Sequence, residues 1–229
     1  MIPKWDEKNV KSIVDFWRRQ AGKGTSDDIL KRDEVLQDDI ADLVQRFPRT
    51  KWILDVGAGP VSTLGWRHPD FRVQVFATDE LASEYGKLSA ELNLAPHTVT
   101  QYAQAEALSE VFPETLFHLV HCRNGIEHFH DPLKALTEMV KMLIEGGYLY
   151  LRNYPNEGRK SNWNEMHQWD VDLVDGELFL WDKDLKKTDL NQHLETLGMV
   201  PWSLTRQNRE IVSIFIKESG DDVVGGHCG

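Results

Sequence analysis

Cysteine is nearly absent from this chain of 229 residues, which has two, Cys122 and Cys228. They lie far apart, one of them in the tail, so they offer neither a disulfide framework nor metal-ligand spacing. Long apolar runs are missing as well. No stretch is long enough to span a bilayer, and the first residues do not read as a charged-then-apolar leader. The cytoplasm is therefore the expected compartment. Basic charge is scarce: 26 lysines and arginines stand against 37 aspartates and glutamates, a formal net charge of −11. That balance disfavours a nucleic-acid backbone as partner, because such sites need basic surface. There is no internal repeat, no linker long enough to separate domains, and nothing that fixes an oligomeric state. What is present, 41% hydrophobic and 28% charged residues, suits one α/β domain of ordinary size.

The chain is organised around Ile53-Leu54-Asp55-Val56-Gly57-Ala58-Gly59-Pro60-Val61-Ser62-Thr63-Leu64-Gly65. Trp52 to Val56 is mostly apolar and does not alternate, as in a strand buried on both faces. Gly57 and Gly59 allow a sharp turn and a close approach to a ligand. Ser62 and Thr63 can cap a following helix. Phe71 to Asp79 is a second strand, ending on a carboxylate about 20 residues beyond the glycines, where an acid can accept both hydroxyls of a ribose. Together these predict the front of a nucleotide-binding βαβ unit. A dinucleotide site would carry a third glycine where Ser62 stands, and Pro60 has no N–H to offer a pyrophosphate.

Elsewhere, apolar spacing predicts helices over Asn9 to Trp17 and Ser26 to Phe47, joined at Ala21 to Thr25. A helix follows Glu80 towards Leu92, and Thr98 to Tyr102 is a third strand. Phe117 to Cys122 is a fourth, followed by a helix from Leu133 to Leu143 that Asp131 and Pro132 open and Gly146-Gly147 end. Tyr148 to Asn153 is the fifth strand. A hairpin over 171–180 turns at Asp175-Gly176. A helix over 185–197 and strands over 200–205 and 211–216 complete the order. The expected fold is α/β, a Rossmann-like doubly wound sheet, mostly parallel with a final antiparallel strand, N-terminal helices and an inserted hairpin. Residues 1–50 are read as N-terminal helices of the same domain, and 219–229 as a polar, glycine-rich tail without order.

From about Ile53 to Ile216 the chain resembles class I S-adenosylmethionine-dependent methyltransferases, with 51–218 as the domain. The match is similar to a small bacterial type tied to polysaccharide modification. The features that carry it are Asp55-Val56-Gly57-Ala58-Gly59-Pro60, Asp79 with Leu81-Ala82 and Tyr85, Cys122-Arg123-Asn124 before Glu127-His128, and Asn156-Glu157-Gly158 before His167-Gln168-Trp169. The resemblance implies S-adenosyl-L-methionine as cofactor. It implies cofactor contacts at Asp55, Gly57, Ala58 and Gly59, at Asp79, Glu80 and Leu81, at the turn Gln104-Ala105-Glu106, and at Arg123 and Asn124. Gln104 stands where that family often has an acid. Its amide oxygen can still accept a proton from adenine.

Methyl transfer from a sulfonium to oxygen needs alignment and removal of a proton, and a histidine near neutral pKa suits the second task. His128 is the first choice and His167 the second. Catalysis by position alone stays open. His118 reads as core packing. His121, His128, His130 and Asp131 do not share one face, so no metal is expected. Trp163, Trp169 and Trp181 are candidates for a stacking wall or for a small core. The acceptor is expected to be a small hydroxylated molecule or saccharide. The alternatives are an N-methyltransferase of a small amine, a nicotinamide-dependent oxidoreductase, and a non-catalytic S-adenosylmethionine-binding domain.

Overall fold

The computed structural model describes residues 5–21, 35–62, 64–163 and 166–219. Two expectations, the joint near residues 22–25 and the start of the second helix at Ser26, lie outside the described residues, as does the tail beyond 219. Helix α1 (Glu7–Ala21) is longer than its apolar periodicity suggested, and it is followed by α2 (Asp38–Val44). The strands and helices after that are β1 (Lys51–Val56), β2 (Val73–Asp79), α3 (Ala82–Glu91), β3 (Thr100–Tyr102), α4 (Leu108–Val111), β4 (Phe117–Arg123), α5 (Pro132–Lys141) and β5 (Leu143–Asn153). Then come α6 (Glu157–Lys160), β6 (Asp170–Val174), β7 (Glu177–Trp181), β8 (Lys187–Asp189), α7 (Leu190–Glu195), β9 (Met199–Gln207) and β10 (Glu210–Lys217).

Seven strands form one sheet in the order β3-β2-β1-β4-β5-β10-β9. The first five are parallel, and β10 runs antiparallel to both β5 and β9. This is the Rossmann-like order expected. Successive side chains of each strand leave on opposite faces. Leu54 and Val56 therefore enter one core with Val120, Leu136 and Leu151, while Ile53 enters another with Ile40, Val44 and Tyr148. No described helix is long and apolar enough to cross a membrane.

Four local expectations are corrected. Among the described residues no helix follows the glycine turn: from Gly57 to Arg72 the chain is irregular. Pro60, Gly65 and Pro69 interrupt it, and the Ser62 hydroxyl is spent on Asp55 rather than on a cap. The sheet face left open is covered by α2, whose Ile40, Leu43 and Val44 are buried against Ile53 and Val75. Second, Gly146 and Gly147 do not end a helix. They lie in β5, where pairing steps from Phe117↔Leu143 to Leu119↔Tyr148, and Gly146 takes φ 70° in the resulting bulge. Third, residues 187–189 are a strand beside β7, and the short α7 starts only where Asp189 Oδ1 accepts the Gln192 N–H. Fourth, the second predicted helix is described as helix only from Asp38, because Val35 bridges Arg67 and the Leu36 N–H donates to the Arg67 carbonyl at 2.8 Å. The hairpin itself turns at Asp175 (φ 53°) and Gly176 (φ 87°), as its dipeptide predicts.

The 35–36 strap fixes one glycine. A Cβ on Gly65 would lie 1.8 Å from the Val35 carbonyl oxygen. Gly65→Ala must push the strap away and should cost about 1–3 kcal/mol. Gly86, inside α3, has nothing within 4 Å of an added Cβ, so Gly86→Ala should gain up to about 1 kcal/mol. Thermal or urea unfolding of both variants measures the contrast. An unchanged midpoint in Gly65→Ala would show that the strap and the 57–72 crossover do not brace each other.

Candidate active site

The parallel strands deliver their carboxyl ends to one edge of the sheet, where ligands of doubly wound folds bind. A cavity of about 580 Å³ opens there, within the range that holds a drug-sized ligand. All the predicted site residues line it except Gln104.

Its floor is built on a buried carboxylate. Asp55, near the end of β1, accepts the Ser62 hydroxyl at 2.6 Å on one oxygen and faces His121 Nδ1 of β4 at 2.6 Å on the other. Asp55 is 1% exposed and thus holds the turn rather than offering its charge to solvent. Gly57 and Gly59 both take φ 68°, the left-handed region that only glycine adopts without strain.

Asp79, at the end of β2, accepts the Gly59 N–H at 3.0 Å and the Leu81 N–H at 2.9 Å, one on each oxygen. Each oxygen keeps a second lone pair. Burial pushes its carboxyl up to about 6, against the pull of those two N–H groups. Beyond it, Glu80 accepts from Gln104 Nε2 at 3.2 Å and pairs with His130 Nε2 at 3.1 Å. The Glu80 carboxylate draws the His130 pKa upward. Gln104 thus reaches the site through Glu80. Glu106 has one oxygen occupied by the Asp131 N–H, at the entrance of α5.

Helix α1 roofs the cavity. Trp17 lies over the glycine turn so closely that a Cβ on Gly59 would be 2.9 Å from its indole. Trp5 stacks on His130 with ring centroids 4.6 Å apart, and Trp17 meets Tyr85 edge-on.

The other wall comes from the turn after β4 and the segment after β5. His128 Nδ1 lies 3.0 Å from the Met166 carbonyl, and its ring is 4.7 Å from that of His167. Burial lowers the His128 pKa, outweighing the Met166 carbonyl. Glu127, 3% exposed, accepts from Asn153 Nδ2 at 3.0 Å, and burial pushes its carboxyl up to about 7. Arg123 and Arg152 both grip Glu210, at 2.8 and 2.7 Å. Burial works against ionisation of Glu210, yet the two guanidiniums hold its carboxyl below the usual range. Asn124 (φ 49°) accepts the Tyr154 N–H and donates its own to the Arg152 carbonyl, clamping the two strand ends.

Several side chains take roles other than those expected. Arg123 lines the cavity but spends its charge on Glu210. Trp163, Trp169 and Trp181 are not among the lining residues: Trp169 donates to the Phe129 carbonyl, and the hairpin buries Val171, Leu178 and Leu180 in the core. The aromatic surfaces of the cavity are instead Trp5, Phe16, Trp17, Tyr85, Phe129 and Tyr154. His121, His128 and His130 have separate partners in Asp55, Met166 and Glu80. His118 sits at the far end of β4, accepting the Trp52 N–H. Glu127 and Glu157 were missed as site residues. Glu127 follows the carboxyl end of β4, the same signal that picked out His128.

The charge of the cavity discriminates between cofactors. Six carboxylate side chains line it (Asp55, Asp79, Glu80, Glu106, Glu127 and Glu157) against two guanidiniums, Arg19 and Arg123. Such a lining repels a pyrophosphate and suits a sulfonium. The left-handed glycines and the open lone pairs of Asp79 fit an adenosyl group carrying that charge.

Comparison with known proteins agrees. A family profile described as a methyltransferase domain matches residues 30–204. Among curated proteins no sequence matches this chain. In structure the chain is similar to an O-methyltransferase family protein from Burkholderia thailandensis, with a TM-score of 0.53 and 11% identity, over 94% of this chain and 61% of that one. It thus spans under two thirds of that relative. It is similar to magnesium protoporphyrin IX methyltransferase from Synechocystis with bound S-adenosylmethionine (TM-score 0.52, 12% identity, 94% of this chain and 100% of that one). It also resembles a sugar N-methyltransferase from Streptoalloteichus (TM-score 0.52, 18% identity, 90% and 92%). At these identities the likeness is one of fold. The profile covers most of the chain and the fold carries the glycine turn at the expected strand end, so the nicotinamide alternative falls away: the chain belongs to the methyltransferase-domain family.

Proposed function

We propose that the chain methylates a hydroxyl oxygen of a small acceptor, a sugar or glycan precursor, in the cytoplasm, using a histidine as base. One observation carries this reading: two histidines stand ring to ring on the cavity wall, and one has its Nδ1 committed to the Met166 carbonyl. A carbonyl only accepts, so His128 carries its proton on Nδ1 and keeps a lone pair on Nε2. Its lowered pKa keeps it neutral at pH 7. The descriptions of two similar structures, an O-methyltransferase family protein and a sugar N-methyltransferase, support the acceptor class by analogy. S-adenosylmethionine, when bound, supplies a methyl group already activated for displacement. The residues Gly57 to Gly59, Asp79 to Leu81, Ala105 and Glu106 hold it, Arg123 and Asn124 brace the wall, and α1 excludes water.

Cofactor affinity is expected to depend on Asp79. Its carboxyl must be ionised to accept two ribose hydroxyls, so affinity should rise with pH through about 6 and level off above. Asp79→Ala should lose about 1.5–3 kcal/mol per charge-assisted hydrogen bond and abolish that dependence. Titration calorimetry with S-adenosylmethionine from pH 5 to 8 measures both. Wild-type affinity in Asp79→Ala would remove Asp79 from the site.

For the base, S-adenosylhomocysteine release is followed against free sugars, polyols and small amines. Turnover at saturating acceptor should rise with pH through a value below the ordinary histidine range, because burial lowers the His128 pKa and the neutral ring is the active form. His128→Ala should lose about 10²–10⁴-fold in turnover with cofactor affinity kept. If neither His128→Ala nor His167→Ala changes turnover tenfold, the histidine base is refuted and a nitrogen acceptor becomes the reading.

A further inference from the structure

Glu127 is the buried carboxyl group to which the proposed reaction has so far given no part. It belongs to the turn after β4, lines the cavity, and is 3% exposed. Its side chain is held from one side by Asn153 Nδ2 at 3.0 Å, from the last residue of β5. Its main chain is tied to the segment after β5, where the Glu127 carbonyl accepts the Gln168 N–H at 2.8 Å. Next to it, His128 Nδ1 reaches the Met166 carbonyl of the same segment. Two bonds thus stitch residues 127–128 to residues 166–168, and His167 lies between them, 4.7 Å ring to ring from His128.

A base that works in a buried cavity has a charge problem. Once it takes the acceptor's proton it becomes an imidazolium, which burial disfavours unless a carboxylate lies beside it. The geometry points to Glu127 as the positioning and charge-balancing residue of the base: through His167 it stabilises the imidazolium formed as the acceptor is methylated. This assignment rests on the methyl-transfer reading. In the step, the acceptor oxygen bonds to the methyl carbon as the carbon–sulfur bond breaks and its electron pair stays on sulfur. The hydroxyl proton goes to an imidazole nitrogen. The positive charge lost from sulfur thereby reappears on the histidine pair, beside Glu127.

The other groups that face this pair are few. Attraction to His167 pulls the Glu127 carboxyl down against its burial, while Glu157 of α6 pushes it up. Glu157 is itself paired with Lys160 at 2.8 Å and supports protonation of His128. The Cys122 thiol beneath is pushed well above its ordinary range by burial and by Glu127. Arg123 lines the same cavity and is neutralised by Glu210.

The test needs no acceptor. In the full chain labelled with ¹⁵N-histidine, the imidazole signals of His167 and His128 are followed from pH 4.5 to 9. In Glu127→Gln the His167 pKa should fall by about one unit, since an adjacent negative charge is gone. The same pKa in both proteins would overturn the proposal. Should Glu127→Gln fail to fold, ¹³C-labelled glutamate in the wild type answers instead. The Glu127 carboxyl should titrate in two steps, one of them coincident with His167, as coupled sites do. A single step near the ordinary glutamate value would overturn the proposal. Calorimetry with S-adenosylmethionine on the same samples separates the two readings. Binding without the histidine–glutamate coupling sinks the role of Glu127 alone. Coupling without binding sinks the methyl-transfer reading and with it the catalytic sense of the pair.

Discussion

The arrangement hangs on the Asp55 carboxylate. It is buried near the carboxyl end of β1, with Ser62 on one oxygen and His121 of the neighbouring β4 on the other. An isolated carboxylate at that depth would be prohibitive, so its two partners must be in place whenever the domain is folded. One partner sits in the glycine turn and the other in β4. The contact therefore fixes the turn against the sheet and sets the distance between the two halves of the cavity. Removing either partner leaves one buried carboxylate oxygen unsatisfied, a larger penalty than the bond itself is worth.

From that point the cavity divides by charge and by backbone. On one side the chain spends main-chain N–H groups: Gly59 and Leu81 hold Asp79, and Glu80 links Gln104 to His130. On the other side it spends strand ends. Asn124 clamps β4 to β5, Asn153 holds Glu127, and Glu210 of the antiparallel strand grips both arginines. Arg123, which lines the cavity and could have answered an anionic ligand, is thereby neutralised from behind. The cavity keeps an excess of carboxylates, which is the sign a sulfonium requires.

Legibility followed the range of the interactions. The strands, the glycine turn and Asp79 could be read because hydrophobic runs and left-handed glycines are local requirements. The type I′ hairpin at Asp175-Gly176 was legible for the same reason. The missing helix after the turn was not, since Ser62 and Thr63 read equally well as caps. Only the fold shows Ser62 turned to Asp55 and the open face filled by α2 from upstream. Arg123 looked like a site residue by position, and its partner lies 87 residues away. The tryptophans of the insertion read equally as a wall or as a small core because aromatic composition carries no direction. Trp17, which does face the cavity, sits in an amphipathic helix indistinguishable in sequence from any covering helix, and Trp5 lies just before that helix.

Helix α1 has a further consequence for traffic. Alone among the described helices it contains no buried residue, yet its Trp17 closes the cavity over Gly59. Its attachments include Val10, Ile13 and Trp17, packed on Leu81, Tyr85 and Met166, and the exposed ion pair of Arg18 with Glu91. Lifting it uncovers the small cluster of Leu81, Tyr85 and Met166 and leaves the two main cores closed, so this opening costs less than one through the sheet. A ligand beneath it would then enter and leave by way of the roof rather than the sheet. Amide protons of α1 should exchange with solvent ahead of those in β1 and β4, and a ligand lodged beneath should slow them together.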